Sequence, residues 1–305
     1  MKLSFVIPAY NEEAYVGKCL ESIFKDAEGK NYDYEVIVVN NASTDNTKKI
    51  ASSFKKVKVV DEPKKGLVNA RRAGYLVSKG DLIANVDSDT ILTPGWIDRV
   101  FYEFSKDKNL AALSGPFLYY DVSKWMVKTV RIFYYYAFGV YLLNRFVLKQ
   151  GSMIQGGNFV VRRSSFVKAG EFNDDYDFYG EDADVARRLH KVGPVKWTFN
   201  FPIYASARRL AKEGPVTTSF RYTINYIWTF LFKKPFSKTA SDVRFAKVNK
   251  ILQINPENKK TEIIGSVITV LALALLPLTI VGFVYHIMRN KLPVVARNSK
   301  NKLFD

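Results

Sequence analysis

The sequence predicts an α/β protein, a mostly parallel sheet flanked by helices, with a transmembrane helix near the carboxyl end. Three observations point there. Short apolar runs alternate with helix-length amphipathic segments between residues 3 and 113. Polar residues suited to chemistry follow directly on three of those runs. One stretch, 263–288, carries no Asp, Glu, Lys or Arg over 26 residues. Such alternation argues for βαβ units, whose parallel strands place ligands beyond their carboxyl ends.

Taken in order, Leu3 to Ile7 reads as the first strand; it is too short for a signal-peptide core and no small-residue cleavage site follows. The amino-terminal part is therefore expected to stay in the cytoplasm. "YEVIVV", "VKVV", "LIANV" and "LAALS" read as further strands, and segments starting near Glu12, Asp45, Gly66 and Pro94 as helices. Two aromatic-rich segments, 125–148 and 219–236, suit either helices lying in a lipid headgroup region or core-packed helices. The uncharged stretch 263–288 is long enough to cross a hydrocarbon core of about 30 Å. Pro277 near its middle marks either a tolerated kink or a hairpin. A single span would carry the basic tail 289–305 to the far side, against the positive-inside tendency.

The net charge of +17 is unevenly placed. Residues 1–122 hold 17 basic and 17 acidic side chains, so 123–305 hold 29 and 12. Seven of those twelve acids fall in Glu171 to Asp184. Because the basic part also carries the uncharged span, anionic membrane lipid explains the excess more economically than nucleic acid. The one cysteine, Cys19, excludes an intrachain disulfide.

Two acidic pairs stand out. Asp87 and Asp89 follow an apolar run with only Ser88 between them. A divalent cation taking oxygen from both would offset their repulsion, and an ordinary solvated turn is the competing reading. In "YGEDADVARRLHKVG", Val185, Leu189 and Val192 fall at helical spacing, which sets Glu181 and Asp182 at a helix start, as site groups or as a plain acidic cap.

Together "FVIPAYNEE", "VVNNASTDNT", "NVDSD" and "YGEDADVARRL" resemble the signature of family-2 glycosyltransferases with the GT-A fold, inverting enzymes that use nucleotide-sugar donors. The resemblance covers about Leu3 to Lys212. It implies that Asp182 is the catalytic base and that Glu181 orients it or binds the acceptor. Asp87 and Asp89 would hold Mg²⁺ or Mn²⁺, the hard cations that oxygen ligands select. Pro8, Ala9, Tyr10, Asn11, Glu12, Asn40, Arg71, Asp87 and Ser88 would contact the nucleotide. Gly156, Gly157 and Asn158 in "GGNFVVRRSSF" would shape the donor-sugar and acceptor pocket. Asn40-Asn41 departs from the acidic pair of many relatives, and "SARRL", 206–210, stands where processive synthases carry Gln-x-x-Arg-Trp, which favours single addition.

On this reading the chain divides into a GT-A glycosyltransferase domain over 1–215, with a nucleotide-binding half (1–122) and an acceptor half (123–215). A basic, aromatic juxtamembrane segment (216–262), the span and the tail follow. Charge, aromatic segments and span together imply a lipid-linked or glycolipid acceptor on a membrane surface. Two other classes fit less well: a sugar-nucleotide pyrophosphorylase, whose glycine-rich first loop is replaced by "PAYNEE", and a non-catalytic binding or scaffold protein, disfavoured by the acids at 87, 89 and 182.

Overall fold

The computed structural model describes residues 1–142, 145, 146, 153–237, 242 and 243. The stretch 263–288 and the tail 289–305 lie outside the described residues, as do most of 238–262. Among the described residues no helix is long and apolar enough to cross a membrane.

In chain order the strands are β1 (Leu3–Ala9), β2 (Tyr34–Asn40), β3 (Val57–Asp61), β4 (Leu82–Val86) and β5 (Thr90–Leu92). Then come β6 (Ala112–Ser114), β7 (Phe117–Tyr119), β8 (Asn158–Arg162), β9 (Val195–Trp197) and β10 (Ile203–Ala205). The main sheet has seven strands in the order β3-β2-β1-β4-β8-β6-β9. It is parallel except at β8, which runs antiparallel to β4 and to β6. A small second sheet, β5-β10-β7, brings Ser206 beside Asp89, where its N–H donates to the Asp89 carbonyl at 3.3 Å.

β1 is buried along its whole length, as a central strand covered on both faces must be. Leu3, Phe5 and Ile7 face one core, while Val6 faces the other. The first core is closed by α1 (Val16–Ala27), whose Val16, Cys19, Leu20, Ile23 and Ala27 form a buried stripe at helical spacing. α2 (Thr47–Ser53), α3 (Leu67–Val77) and α4 (Trp96–Lys106) fill the remaining crossovers. α1 begins four residues later than expected, because Glu12 to Tyr15 form a turn in which the N–H groups of Tyr15 and Val16 both donate to the Glu12 carbonyl.

The two halves expected at 1–122 and 123–215 share one sheet, since β8 and β9 of the second lie beside β4 and β6 of the first. The second half adds α5 (Lys124–Leu142), α6 (Arg163–Lys168), α7 (Glu181–Leu189), α8 (Arg208–Glu213) and α9 (Pro215–Phe232). α5 packs through Tyr134 and Tyr141 onto Trp197 of β9, so this face of the described part of 125–148 is core-packed. Its Ile132 and Tyr135 remain exposed. α9 crosses the boundary expected at 215 and packs on α7 and α8, so the start of the expected juxtamembrane segment belongs to this globular unit.

Candidate functional site

A cavity of about 710 Å³ opens beyond the carboxyl ends of β1 and β4. Pro8 and Ala9 line it from the end of β1, Tyr10 and Glu12 from the loop that follows, and Asp87, Ser88 and Asp89 from the turn after β4. Gly156, Glu181 and Asp182 face it from the opposite side, with Arg71 between the two acidic pairs. The sheet thus brings most of the expected site into one chamber, for the reason parallel sheets generally do: the loops leaving adjacent parallel strands start at the same edge.

The carboxylates are held by two buried arginines. Arg71, 1% exposed, donates Nη2 to Asp87 Oδ1 at 3.0 Å and Nη1 to Glu181 Oε1. Its guanidinium is therefore spent on two protein carboxylates. Arg208 clamps Glu12 with both terminal nitrogens and lies 3.0 Å from Asp89 Oδ2. Burial raises the pKa of Asp87 above the usual carboxylate range, and Arg71 opposes that rise. Gly157, at φ +82, lies against the Asp87 carboxylate and leaves no room there for a side chain.

Asp182 sits in the first turn of α7, after Gly180 in the left-handed conformation. Its Oδ2 accepts from Gly156 N–H at 3.2 Å and its Oδ1 from Ala183 N–H at 2.8 Å. Burial raises its pKa, and the two backbone donors work against that shift by favouring the ionised form. Glu181 is more deeply enclosed and is pushed up to about 7 by burial, with Arg71 pulling the other way. Its Oε2 is buried without a hydrogen-bond partner.

Four expected residues stand outside the chamber lining: Gly157, which backs the Asp87 carboxylate, and three asparagines. Asn158 is fully buried: Nδ2 donates to the carbonyls of Gly115 and Phe201, and Oδ1 accepts from Trp96 Nε1 at 3.1 Å. It ties β8 to its neighbours instead of lining the pocket. Asn40 donates to Asp61 Oδ1 at 2.8 Å, away from the cavity. Asn11, at φ +53, uses its side-chain oxygen on the Thr44 N–H at 2.8 Å and so fixes the loop between β1 and α1. Asn41 lines the chamber in place of Asn40, accepting from Gly66 N–H and donating to the carbonyls of Glu62 and Lys64. Asp45, one residue before the N-cap Asn46, accepts from the Thr47 N–H at 2.9 Å, the first amide of α2.

Asp87 and Asp89 fit a hard divalent cation. Each has one oxygen facing an arginine and one that accepts no hydrogen bond from the described residues. Among the described residues no cluster of three or more His, Cys, Asp or Glu forms a complete cage. Two carboxylates supplemented by diphosphate oxygens and water are the ligand set that Mg²⁺ takes in such sites.

Sheet order, crossover helices and a chamber of paired carboxylates at the strand ends define a GT-A-like fold. The chain belongs to glycosyl transferase family 2, whose model matches residues 4–170. It is 28% identical over 202 residues to glycosyltransferase GlyG of Streptococcus pneumoniae, covering 62% of this chain and 64% of that protein. It is also 34% identical over 115 residues to chondroitin synthase of Pasteurella multocida, covering 36% of this chain and 12% of that protein. The match thus spans less than two thirds of either relative. Among solved structures, S. aureus TarS superposes with a TM-score of 0.54 at 17% identity, covering 85% of this chain and 77% of that one. Glucosyl-3-phosphoglycerate synthase from Mycobacterium tuberculosis, crystallised with Mn²⁺, UDP-glucose and phosphoglyceric acid, superposes at 0.52 with 20% identity, covering 77% and 81%. Both share the fold.

Proposed function

We propose that the chain is an inverting, metal-dependent glycosyltransferase that moves a sugar from a nucleoside-diphosphate sugar to an acceptor hydroxyl or phosphate. The observation that carries this is the placement of Asp182 across one chamber from Asp87 and Asp89, so that a proton acceptor and a diphosphate-side acidic pair face the same space. For a hydroxyl acceptor, Asp182 takes the proton as the oxygen attacks the anomeric carbon. The bond from that carbon to the diphosphate oxygen breaks on the opposite face, which inverts the anomer. Mg²⁺ or Mn²⁺ held by Asp87 and Asp89 would supply Lewis-acid stabilisation to the leaving diphosphate oxygens. Pro8, Ala9, Tyr10, Glu12 and Ser88 would meet the nucleotide, and Gly156 and Glu181 the sugar or acceptor.

We infer further that the acceptor is lipid-linked and that the enzyme works on a membrane surface with its catalytic domain cytoplasmic. The chamber is also lined by Met126, Val130, Phe133 and Tyr134 of α5 and by Tyr222 and Tyr226 of α9. Among its described side chains α9 buries Thr218, Asn225 and Thr229 and leaves Phe220 67% and Phe232 48% exposed. Aromatic exposure beside a strongly basic second half suits an anionic headgroup region. The span expected over 263–288 would supply the anchor.

The test uses the full chain on anionic and on neutral vesicles, with Mn²⁺, a panel of UDP-, GDP- and dTDP-sugars, and lipid-linked and free acceptors. Transfer that prefers a lipid-linked acceptor on anionic vesicles supports both parts. Equal transfer to a free sugar in detergent rejects the lipid acceptor and leaves the transferase intact. Absence of any transfer or donor hydrolysis across the panel rejects the transferase itself.

A further inference from the structure

We propose that Arg208 is the resident counter-cation of Asp89 and makes divalent-metal binding conditional on a nucleoside diphosphate. The proposal rests on the reading that Asp87 and Asp89 hold the metal. Arg208 is 7% exposed and its guanidinium is fixed from several sides. It grips Glu12, itself 4% exposed, with both Nη atoms, and the ring of Tyr15 lies 4.8 Å from it. Its stretch of chain is pinned by Asp121, which is buried and accepts from Ser206 Oγ and Ala207 N–H, each at 2.6 Å. A group held this way stays 3.0 Å from Asp89 Oδ2.

The charges then decide the order of events. Glu12, Asp87 and Asp89 bring three negative charges to the donor side. Arg208 is shared between Glu12 and Asp89, and Arg71 between Asp87 and Glu181, so each metal-side carboxylate already has a fixed cation beside it. A divalent cation entering alone meets a fixed guanidinium on Asp89 and a second one on Asp87. Repulsion between partly buried charges is weakly screened, so the metal-only complex is disfavoured. A diphosphate brings the negative charge that both the metal and the arginines lack, and the two ligands should therefore bind with positive coupling, which is reciprocal by linkage. Arg208 is a positioning residue in this scheme, acting through Asp89.

The test is Mn²⁺ binding to the full-length protein, followed by the free-Mn²⁺ electron paramagnetic resonance signal, with Mn²⁺ alone and with added UDP. Arg208→Gln is expected to bind Mn²⁺ alone about tenfold tighter than wild type, with the enhancement by UDP reduced by a similar factor. A merely structural role would weaken Mn²⁺ binding or leave it unchanged, and either result in a folded variant overturns the proposal. Because Arg208→Gln takes the guanidinium away from the buried Glu12 carboxylate, the double variant Glu12→Gln/Arg208→Gln provides a second route. It removes both charges of the buried pair and is expected to shift Mn²⁺ affinity in the same direction; no gain there also overturns the proposal. Asp89→Asn is expected to abolish Mn²⁺ binding in every background. Intact binding in Asp89→Asn would remove the metal reading and the proposal with it, a result distinct from failure of Arg208 alone.

Discussion

Replacing Gly157 by alanine should disable the donor side of the site while leaving the protein folded. Gly157 adopts φ +82 directly against Asp87, and an added Cβ would overlap the Asp87 carboxyl, with Oδ1 only 2.9 Å away. The left-handed backbone alone costs an L-residue about 1–2 kcal/mol. In a domain of this size that corresponds to a loss of about 2–8 °C in Tm. The carboxylate must also retreat by about 1 Å, a misplacement of the kind that costs about 10²-fold in rate. The retreat strains the 3.0 Å bond to Arg71 Nη2. Gly156 is the internal control. A Cβ there meets Asp182 Oδ2 at 3.3 Å and Glu181 Oε1 at 3.5 Å, near ordinary contact, and the backbone needs no left-handed conformation. Gly156→Ala should therefore cost far less than Gly157→Ala. The assay is kcat/KM for sugar transfer with Mn²⁺ titrated, beside thermal unfolding. A Gly157→Ala protein with wild-type rate and Mn²⁺ dependence, or a Gly156→Ala protein equally impaired, would refute the reasoning.

Three further outcomes are expected. Asp182→Asn, nearly isosteric but unable to take a proton, should lower turnover by about 10² or more with donor affinity retained, as read by steady-state kinetics and donor titration; collapse of donor affinity at unchanged turnover would make it a binding residue instead. Arg71→Met leaves Asp87 and the buried Glu181 uncompensated and should destabilise by about 3–5 kcal/mol in denaturant unfolding, whereas Arg71→Met/Glu181→Gln should recover part of that loss. Glu181, pushed up to about 7 in the folded protein against an ordinary value of 4.5, binds its proton more tightly folded than unfolded. Its contribution is then most favourable below the unfolded value and is lost as pH rises through the folded one. The Tm of wild type relative to Glu181→Gln should accordingly fall between pH 4.5 and 7, and a flat or rising difference would show that burial does not govern this carboxyl.

What the sequence determined by itself is the part written in local patterns. Largely apolar runs such as "LSFVI" and "LIANV" read as strands covered on both faces, and the amphipathic segments of helical period between them as crossovers. The edge where Pro8, Tyr10, Asp87 and Asp89 emerge follows from that alternation, because the ends of adjacent parallel strands coincide. Glu181 and Asp182 were legible as a helix start from the spacing of Val185 and Leu189. The polarity of "NFVVR" was not. It lies in the stretch expected to shape the sugar pocket, but its apolar residues are claimed by antiparallel pairing with β4 and β6, a choice made by strands more than forty residues away. The same holds for function-bearing types whose partners are distant. Asn158 looks like a pocket amide until Gly115, Phe201 and Trp96 are seen to consume it. Arg71 meets Glu181 across 110 residues and Arg208 meets Glu12 across 196. No local period encodes such a pair; "SARRL" shows two arginines, and only tertiary packing decides which of them is buried against two carboxylates. Charge neutralisation in an enclosed site is a property of the assembled chamber, since each ion's cost depends on the partner that burial brings within reach.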